Sequence, residues 1–303
     1  MNSSTLNSKQ FGMTFAVAFL MGLSIFVGVT EAVLRWHVMP NDSYAGYKEH
    51  FRTSLAPAAA FGDSHAANAL IGTVDFDNFG EASDNLDTML AKIEYRMRRG
   101  HLRQIIIQAD PQIFAPYRLK ADQSSRVSNL LSEADPFLAV LRPEYRQYLT
   151  QYWWSTIQNP AMFFRSEETE PPGEEVTFSQ LSQERQDREA SIRVQLHAPA
   201  AYAVKSERAK AYRQIVQQLR AAEIEVCLVR FPVSSAYRRQ AAAHATFVAA
   251  GAFFLAAAES SGAIYLDYSS IMTDDKFGNA DHLSSRGAEE FTRLALAGCF
   301  QKT

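Results

Sequence analysis

The sequence predicts an α/β protein, a three-layer α/β/α sandwich with a mainly parallel sheet, preceded by one transmembrane helix. Continuous apolar runs at 104–108, 224–232 and 263–268 are typical of strands buried in a parallel sheet. Segments with helical periodicity alternate with these runs, which is the pattern of strand–helix–strand crossovers. The run 11–29 has no charged residue and is long enough to cross a bilayer as a helix.

Residues 1–36 are interpreted as a cytoplasmic stub and an uncleaved membrane anchor. The apolar run continues at helical spacing through Trp36 and does not lead into a signal-peptide cleavage site. Lys9 before the run and Arg35 after it give only a slight charge bias. We expect a single-pass protein of the inner (plasma) membrane, with its main domain periplasmic or extracellular.

The remaining chain is assigned to a polar linker at 37–55 and one domain at 56–303, which is long enough for a sizeable core. An insertion at about 118–204 has no clear periodicity and is interpreted as a cap or lid. It contains Trp153 and Trp154, for which packing is favoured over stacking on sugar rings.

Composition excludes some classes of function. The net charge of −3 leaves no basic footprint, and no nucleic-acid motif is present, so no nucleic-acid partner is expected. We expect no metal and no cofactor. Cys227 lies in an apolar strand and Cys299 in the last helix; a disulfide outside the cytoplasm is one alternative, but buried free thiols are favoured.

The first candidate for chemistry is Ser64, in the stretch Phe61-Gly62-Asp63-Ser64-His65 after an alanine-rich strand. A sharp strand-to-helix turn exposes side chains at the carboxyl end of a strand, where open α/β sheets place their sites. Ser64 would then be a nucleophile beside helix N-terminal N–H groups. An ordinary turn with a helix cap is the alternative.

The second candidate is His282, in the loop Asp281-His282-Leu283-Ser284 before an amphipathic helix. A Gly-Asp-Ser near the front and an Asp-His-Leu-Ser near the back together resemble the GDSL-type, or SGNH, hydrolase family, over about 56–298. Among its members, the chain is most similar to membrane-anchored polysaccharide O-acetyltransferases and acetylesterases.

This resemblance implies a serine acyl hydrolase or acyltransferase outside the cytoplasm. It would be an O-acetylesterase or O-acetyltransferase on a cell-surface or secreted polysaccharide, with His282 removing the proton from Ser64. Other membrane proteins of a polysaccharide modification system would be its partners. Two alternatives stay open: a catalytically degenerate protein that binds polysaccharide or serves as a scaffold, and a lipase-like enzyme.

The resemblance also implies an oxyanion hole. Asn78 and Gly80 fit the family's second motif, in which Ser83 replaces a glycine that offers its backbone N–H; a plain polar turn is the alternative for this stretch. Ser64 would supply another N–H. The third motif departs from the family, because Gln108 stands near the place of an asparagine; its amide could donate from a longer arm, whereas ionised Asp110 could only accept.

The family usually places an aspartate three residues before the histidine, and this chain has Asn279 there. We predict that Asp281 orients His282, which requires a tight turn because adjacent side chains in extended backbone point to opposite sides. The alternatives are Asn279 with its carbonyl facing His282, a Ser–His dyad oriented by a backbone carbonyl, or Asp274 or Asp275 folding back.

Overall fold

The computed structural model describes residues 8–132, 135–142, 145, 158 and 177–300. The chain divides into two compact units. One comprises residues 1–53 and 128–169, and the other comprises 54–127 and 170–303. The predicted insertion is therefore shared between them. Trp153 and Trp154 lie outside the described residues, and a lid over the site stays a prediction.

The first unit is organised around helix α1 (Ser8–Val33), which continues through a π-helical turn at Leu34–Val38. The segment Phe11–Val38 is long and apolar enough to cross a membrane. Its last turns are packed, since Leu34 is buried with Ala139 and Tyr145. The Glu31 carboxylate accepts hydrogen bonds from the N–H groups of Ala139 and Val140, at 2.9 and 3.0 Å.

The predicted linker is mostly a helix, α2 (Ser43–Thr53). Tyr44, Tyr47 and Phe51 follow one another at helical spacing, and their rings stack in sequence. The buried ammonium of Lys48 lies 2.6 Å from a carboxylate oxygen of Asp135. The expectation of a plain polar linker was therefore wrong, because its aromatic residues form a helical stripe that is packed within this unit.

The second unit is built on five strands: β1 (Ala58–Phe61), β2 (Phe76–Asn78), β3 (Gln104–Gln108), β4 (Glu225–Arg230) and β5 (Ile264–Asp267). Their order in the sheet is β2-β1-β3-β4-β5, and each neighbouring pair is parallel. The order reverses at β1, which pairs with both β2 and β3. The carboxyl end of β1 is thus at the switch point where open α/β sheets bind ligands.

Helices cover both faces of the sheet, as predicted. The helices that follow β1 along the chain are α3 (Ser64–Ala69), α4 (Leu86–Arg98), α5 (Pro116–Lys120), α6 (Ser124–Leu131), α7 (Gln183–His197), α8 (Glu207–Ala221), α9 (Ser235–Ala241), α10 (Ala245–Ser261) and α11 (Ser285–Cys299). Alternate strand residues such as Ala60, Ile106 and Val229 share a core with α3, α7, α9 and α11. Helices α4 and α8 pack on the opposite face, and α10 lies beside α8.

The two cysteines form a disulfide that joins β4 to α11, with 5.5 Å between the Cα atoms of Cys227 and Cys299. The expectation of buried free thiols was wrong. Both residues are buried, as expected, but alternation along β4 turns Cys227 toward the face that α11 covers. Periodicity alone did not determine which face of the strand carried the cysteine.

Candidate active site

The loop after β1 presents Ser64 as the first residue of α3. Asp63 caps this helix by accepting a hydrogen bond from the His65 N–H at 2.9 Å. Gly62 has no room for a side chain, because a Cβ there would lie 2.7 Å from Ala66 Cβ and from Gln108 Oε1. The sharp turn predicted at Ser64 is therefore present, and the two interpretations of this stretch are compatible: Asp63 caps the helix, and Ser64 lies half-buried directly after it.

The loop after β5 brings His282 to Ser64. The Nε2 atom of His282 lies 2.9 Å from Ser64 Oγ. The loop is narrow, because Phe277 and Leu283 form a β-bridge and Gly278 N–H donates to the carbonyl of His282. Two side chains separated by more than two hundred positions are thus in the geometry of a nucleophile and its general base.

The hydrogen-bond partner of His282 Nδ1, the ring nitrogen that does not face Ser64, is Asn279 and not Asp281. Asn279 Oδ1 lies 3.1 Å from His282 Nδ1 and also accepts from the backbone N–H groups of Asp281 and His282. These two N–H donors fix the amide with its oxygen toward the ring. His282 must then carry its proton on Nδ1, which leaves Nε2 free to accept from Ser64.

The nearest Asp281 oxygen is 3.8 Å from His282 Nδ1, so the predicted orienting contact of Asp281 is absent. The physical reason is the turn: Asn279 uses its own side chain to close it, which directs the Asp281 carboxylate into the protein. There Asp281 Oδ2 lies 3.3 Å from His65 Nε2, and Oδ1 lies 3.2 Å from Arg193 Nε. Neither Asp274 nor Asp275 takes the orienting position.

The charges beneath Ser64 are balanced. Three carboxylates face three cationic side chains: Asp63, Asp110 and Asp281 against His65, Arg118 and Arg193. Burial by itself would lower the pKa of His65. The hydrogen bond to Asp281 and the charges of Asp63 and Asp110 outweigh burial and raise this pKa to about 9. His65 is therefore an imidazolium at neutral pH.

The charge on His65 acts on its neighbours. Burial and the positive charge of His65 lower the pKa of His282 to about 4. His282 is consequently neutral at pH 7 and can accept a proton, although it is a weaker base than an ordinary histidine. Burial would raise the pKa of Asp281, but its hydrogen bond to His65 and that residue's charge hold it well below its usual range.

Two of the predicted oxyanion donors are backbone groups. Within the described ranges, the N–H groups of Ser64 and Ser83 have no intramolecular acceptor. The loops that carry them meet, because Glu81 N–H donates to the Gly62 carbonyl at 3.1 Å. Ser83 has a φ of 71°, a left-handed conformation that is uncommon for serine.

The third predicted donor, Gln108, is committed elsewhere. Its Nε2 donates to Asp63 Oδ1 and to Asp110 Oδ2, both at 2.8 Å, and its Oε1 accepts from the Asp63 N–H at 2.6 Å. Both amide hydrogens are used, so Gln108 has none left for an oxyanion. Gln108 instead holds the loop that carries Ser64, and its assignment as an oxyanion donor is corrected.

A stripe of polar residues on α7, which the sequence motifs did not predict, contacts the His282 loop. Glu189 accepts from the Ala280 N–H at 3.1 Å, Arg193 contacts Asp281, and His197 Nε2 lies 3.8 Å from Asp281. These three residues are spaced by four, which places them on one face of the helix. That spacing is visible in the sequence and was a signal that this face contacts a charged partner. His65, beside Ser64, was missed as well.

His65, Asp281 and His282 are close enough for a metal, with candidate ligand atoms within 4.8 Å of one another. Both ring nitrogens of His282 are already engaged, by Ser64 and Asn279, and Asp281 is paired with His65. A metal ion would have to take His282 from Ser64. The contacts therefore fit a hydrogen-bonded ion-pair network better than a metal centre.

Comparison with solved structures shows a distant structural similarity. The chain resembles a protein assigned to the lipolytic G-D-S-L family, from Desulfitobacterium hafniense DCB-2, with a TM-score of 0.36 and 11% sequence identity. The match covers 78% of this chain and 96% of that chain. No protein-family model matches the sequence, and no curated protein matches it.

Proposed function

We propose that the protein is a serine acyl hydrolase or acyltransferase with Ser64 as nucleophile and His282 as general base. One observation carries this proposal: the 2.9 Å contact between Ser64 Oγ and His282 Nε2 at the switch point of the sheet. The fixed amide of Asn279 supports the proposal. Its oxygen requires the proton of His282 to lie on Nδ1, which leaves Nε2 able to take the serine proton.

In the proposed reaction, Ser64 Oγ attacks an ester carbonyl as its proton passes to His282 Nε2. The negative charge on the carbonyl oxygen is stabilised by the N–H groups of Ser64 and Ser83. His282 then gives the proton to the departing alcohol, which leaves an acyl group on Ser64. Water or a sugar hydroxyl, deprotonated by His282, removes this acyl group and restores the serine.

We further propose that the substrate is an O-acetylated cell-surface or secreted polysaccharide and that the site is periplasmic or extracellular. The resemblance of the Ser64 and His282 motifs to polysaccharide acetyltransferases and acetylesterases supports the substrate class. The apolar helix at Phe11–Val38 supports a membrane location. The disulfide between Cys227 and Cys299 supports an oxidising compartment.

Fluorophosphonate labelling of the full-length protein in detergent tests the nucleophile. We expect covalent attachment at Ser64 and none in Ser64→Ala, with release of acetate from an acetylated polysaccharide by the wild type only. Ser284→Ala is the matched control, because Ser284 is a helix-capping serine of α11. Absence of labelling in a folded wild type would overturn the enzymatic proposal.

Two observations favour a second function. The Gln108 amide hydrogens are already bonded within the protein, and the neutral amide of Asn279 takes the place of the family's acid. Both weaken catalysis and suit a protein that binds polysaccharide without cleaving an ester. In that case the wild type and Ser64→Ala should bind the acetylated polysaccharide equally, and neither should release acetate.

A further inference from the structure

Arg118 connects the two loops that carry the predicted oxyanion donors. This buried side chain lies on α5 and donates from Nη2 to Asp63 Oδ2 at 2.9 Å and from Nη1 to the Asp84 carbonyl at 3.0 Å. Asp63 directly precedes Ser64, and Asp84 directly follows Ser83. One planar guanidinium therefore reaches both loops, each at the residue next to a donor.

The Ser83 loop has further supports that fix it from other sides. The Ser83 carbonyl accepts from Gln123 Nε2 at 2.6 Å, and the Asp84 carboxylate pairs with the buried Lys92. A left-handed serine is held only where its surroundings outweigh a conformational cost of about 1 kcal/mol or more. The contacts around Ser83 thus maintain a peptide orientation that the chain would not adopt by itself.

We propose that Arg118 is a positioning residue that sets the distance between the N–H groups of Ser64 and Ser83. The proposal rests on the proposed function, because these N–H groups matter only if an oxyanion forms between them. With Gln108 committed, the hole depends on two backbone donors from separate loops, and a shift of either loop changes their separation. Arg118 itself does not touch the substrate.

The geometry also explains why arginine is needed. Its fork presents two N–H groups to two acceptors in one plane, whereas a lysine ammonium is a point charge that can keep the ion pair but not both directions. The third guanidinium nitrogen, Nε, donates to the Tyr117 hydroxyl at 2.9 Å, which fixes the plane of the fork.

The test compares Arg118→Lys with the double variant Arg118→Met/Asp63→Asn. Asparagine at 63 can still cap α3 and removes the carboxylate that would otherwise be buried without its partner. Arg208→Met is the matched control, because Arg208 also joins a carboxylate, Asp87, to a carbonyl, Leu119, but contacts neither oxyanion loop. Thermal unfolding establishes that each protein is folded at the assay temperature.

We expect both Arg118 variants to lower kcat for p-nitrophenyl acetate by about 10- to 100-fold with little change in KM, as when an oxyanion donor is displaced. The fluorophosphonate labelling rate at Ser64 should fall by a similar factor, and Arg208→Met should match the wild type. Folded Arg118 variants that label at the wild-type rate would overturn the inference while leaving the proposed function intact. A wild type that does not label would overturn both.

Discussion

The two loops that form the candidate site are held in place by different means. The Ser64 loop is fixed by the buried side chains of Gln108 and Arg118, which bind Asp63 from two sides. The His282 loop is closed by the Asn279 side chain, which caps its own turn, and helix α7 also contacts it, since Glu189 accepts from the Ala280 N–H. The carboxylates differ accordingly: Asp63 supports the nucleophile's helix, whereas Asp281 supports His65 and leaves His282 to a neutral amide.

This difference teaches that an acid next to the general base need not serve it. Asp281 neighbours His282 in sequence but pairs with an imidazolium beneath it. Burial and the resulting positive charge lower the pKa of His282, and the group that orients its ring, the Asn279 amide, is neutral.

The largest effect should come from the contact that joins the two loops. Ser64→Ala and His282→Ala should each lower esterase kcat/KM by at least about a thousandfold, and the double variant should lose little more, because groups that act as one unit are strongly non-additive. Steady-state kinetics on p-nitrophenyl acetate provide the measurement. Losses that multiply would mean that the residues act independently.

Replacing Asp281 should mainly lower stability, whereas replacing Asn279 should mainly lower kcat. Asp281→Asn removes the carboxylate that pairs with Arg193 and that hydrogen-bonds to the buried His65, so we expect the unfolding free energy to fall by about 3–5 kcal/mol. Asn279→Ala should lower kcat by about 10- to 100-fold, a fraction of the effect of a wrong tautomer in serine proteases. Denaturant unfolding and kinetics on both variants provide the measurement. A stable, slow Asp281→Asn would reverse the assignment.

The smallest effect is a displacement of the pH profile. Activity needs neutral His282, so it should be lost as pH falls through about 4, the pKa of His282 in the wild type. His65→Gln removes the neighbouring positive charge, which should raise that pKa and shift the acid limb toward the ordinary histidine value of about 6.5. An unchanged acid limb would mean that His65 is not charged beside His282.

The parts predictable from sequence are those set by local pattern. The parallel sheet followed from the apolar runs and their alternation with helical segments, and the contact of Ser64 with His282 followed from the two motifs. The roles of Gln108 and Asp281 depended on partners from distant loops, which no local pattern encodes. The disulfide depended in the same way on which face of β4 carries Cys227.

The central claim is that the neutral amide of Asn279 orients His282 while the neighbouring carboxylate serves His65. The pH dependence of Ser64 labelling by a fluorophosphonate, in the wild type and in Asn279→Asp, tests it most directly. Aspartate keeps the acceptor geometry and adds a negative charge at Nδ1–H, so the acid limb should move above the wild-type value of about 4 and the plateau rate should rise. Identical profiles for the two proteins would contradict the claim.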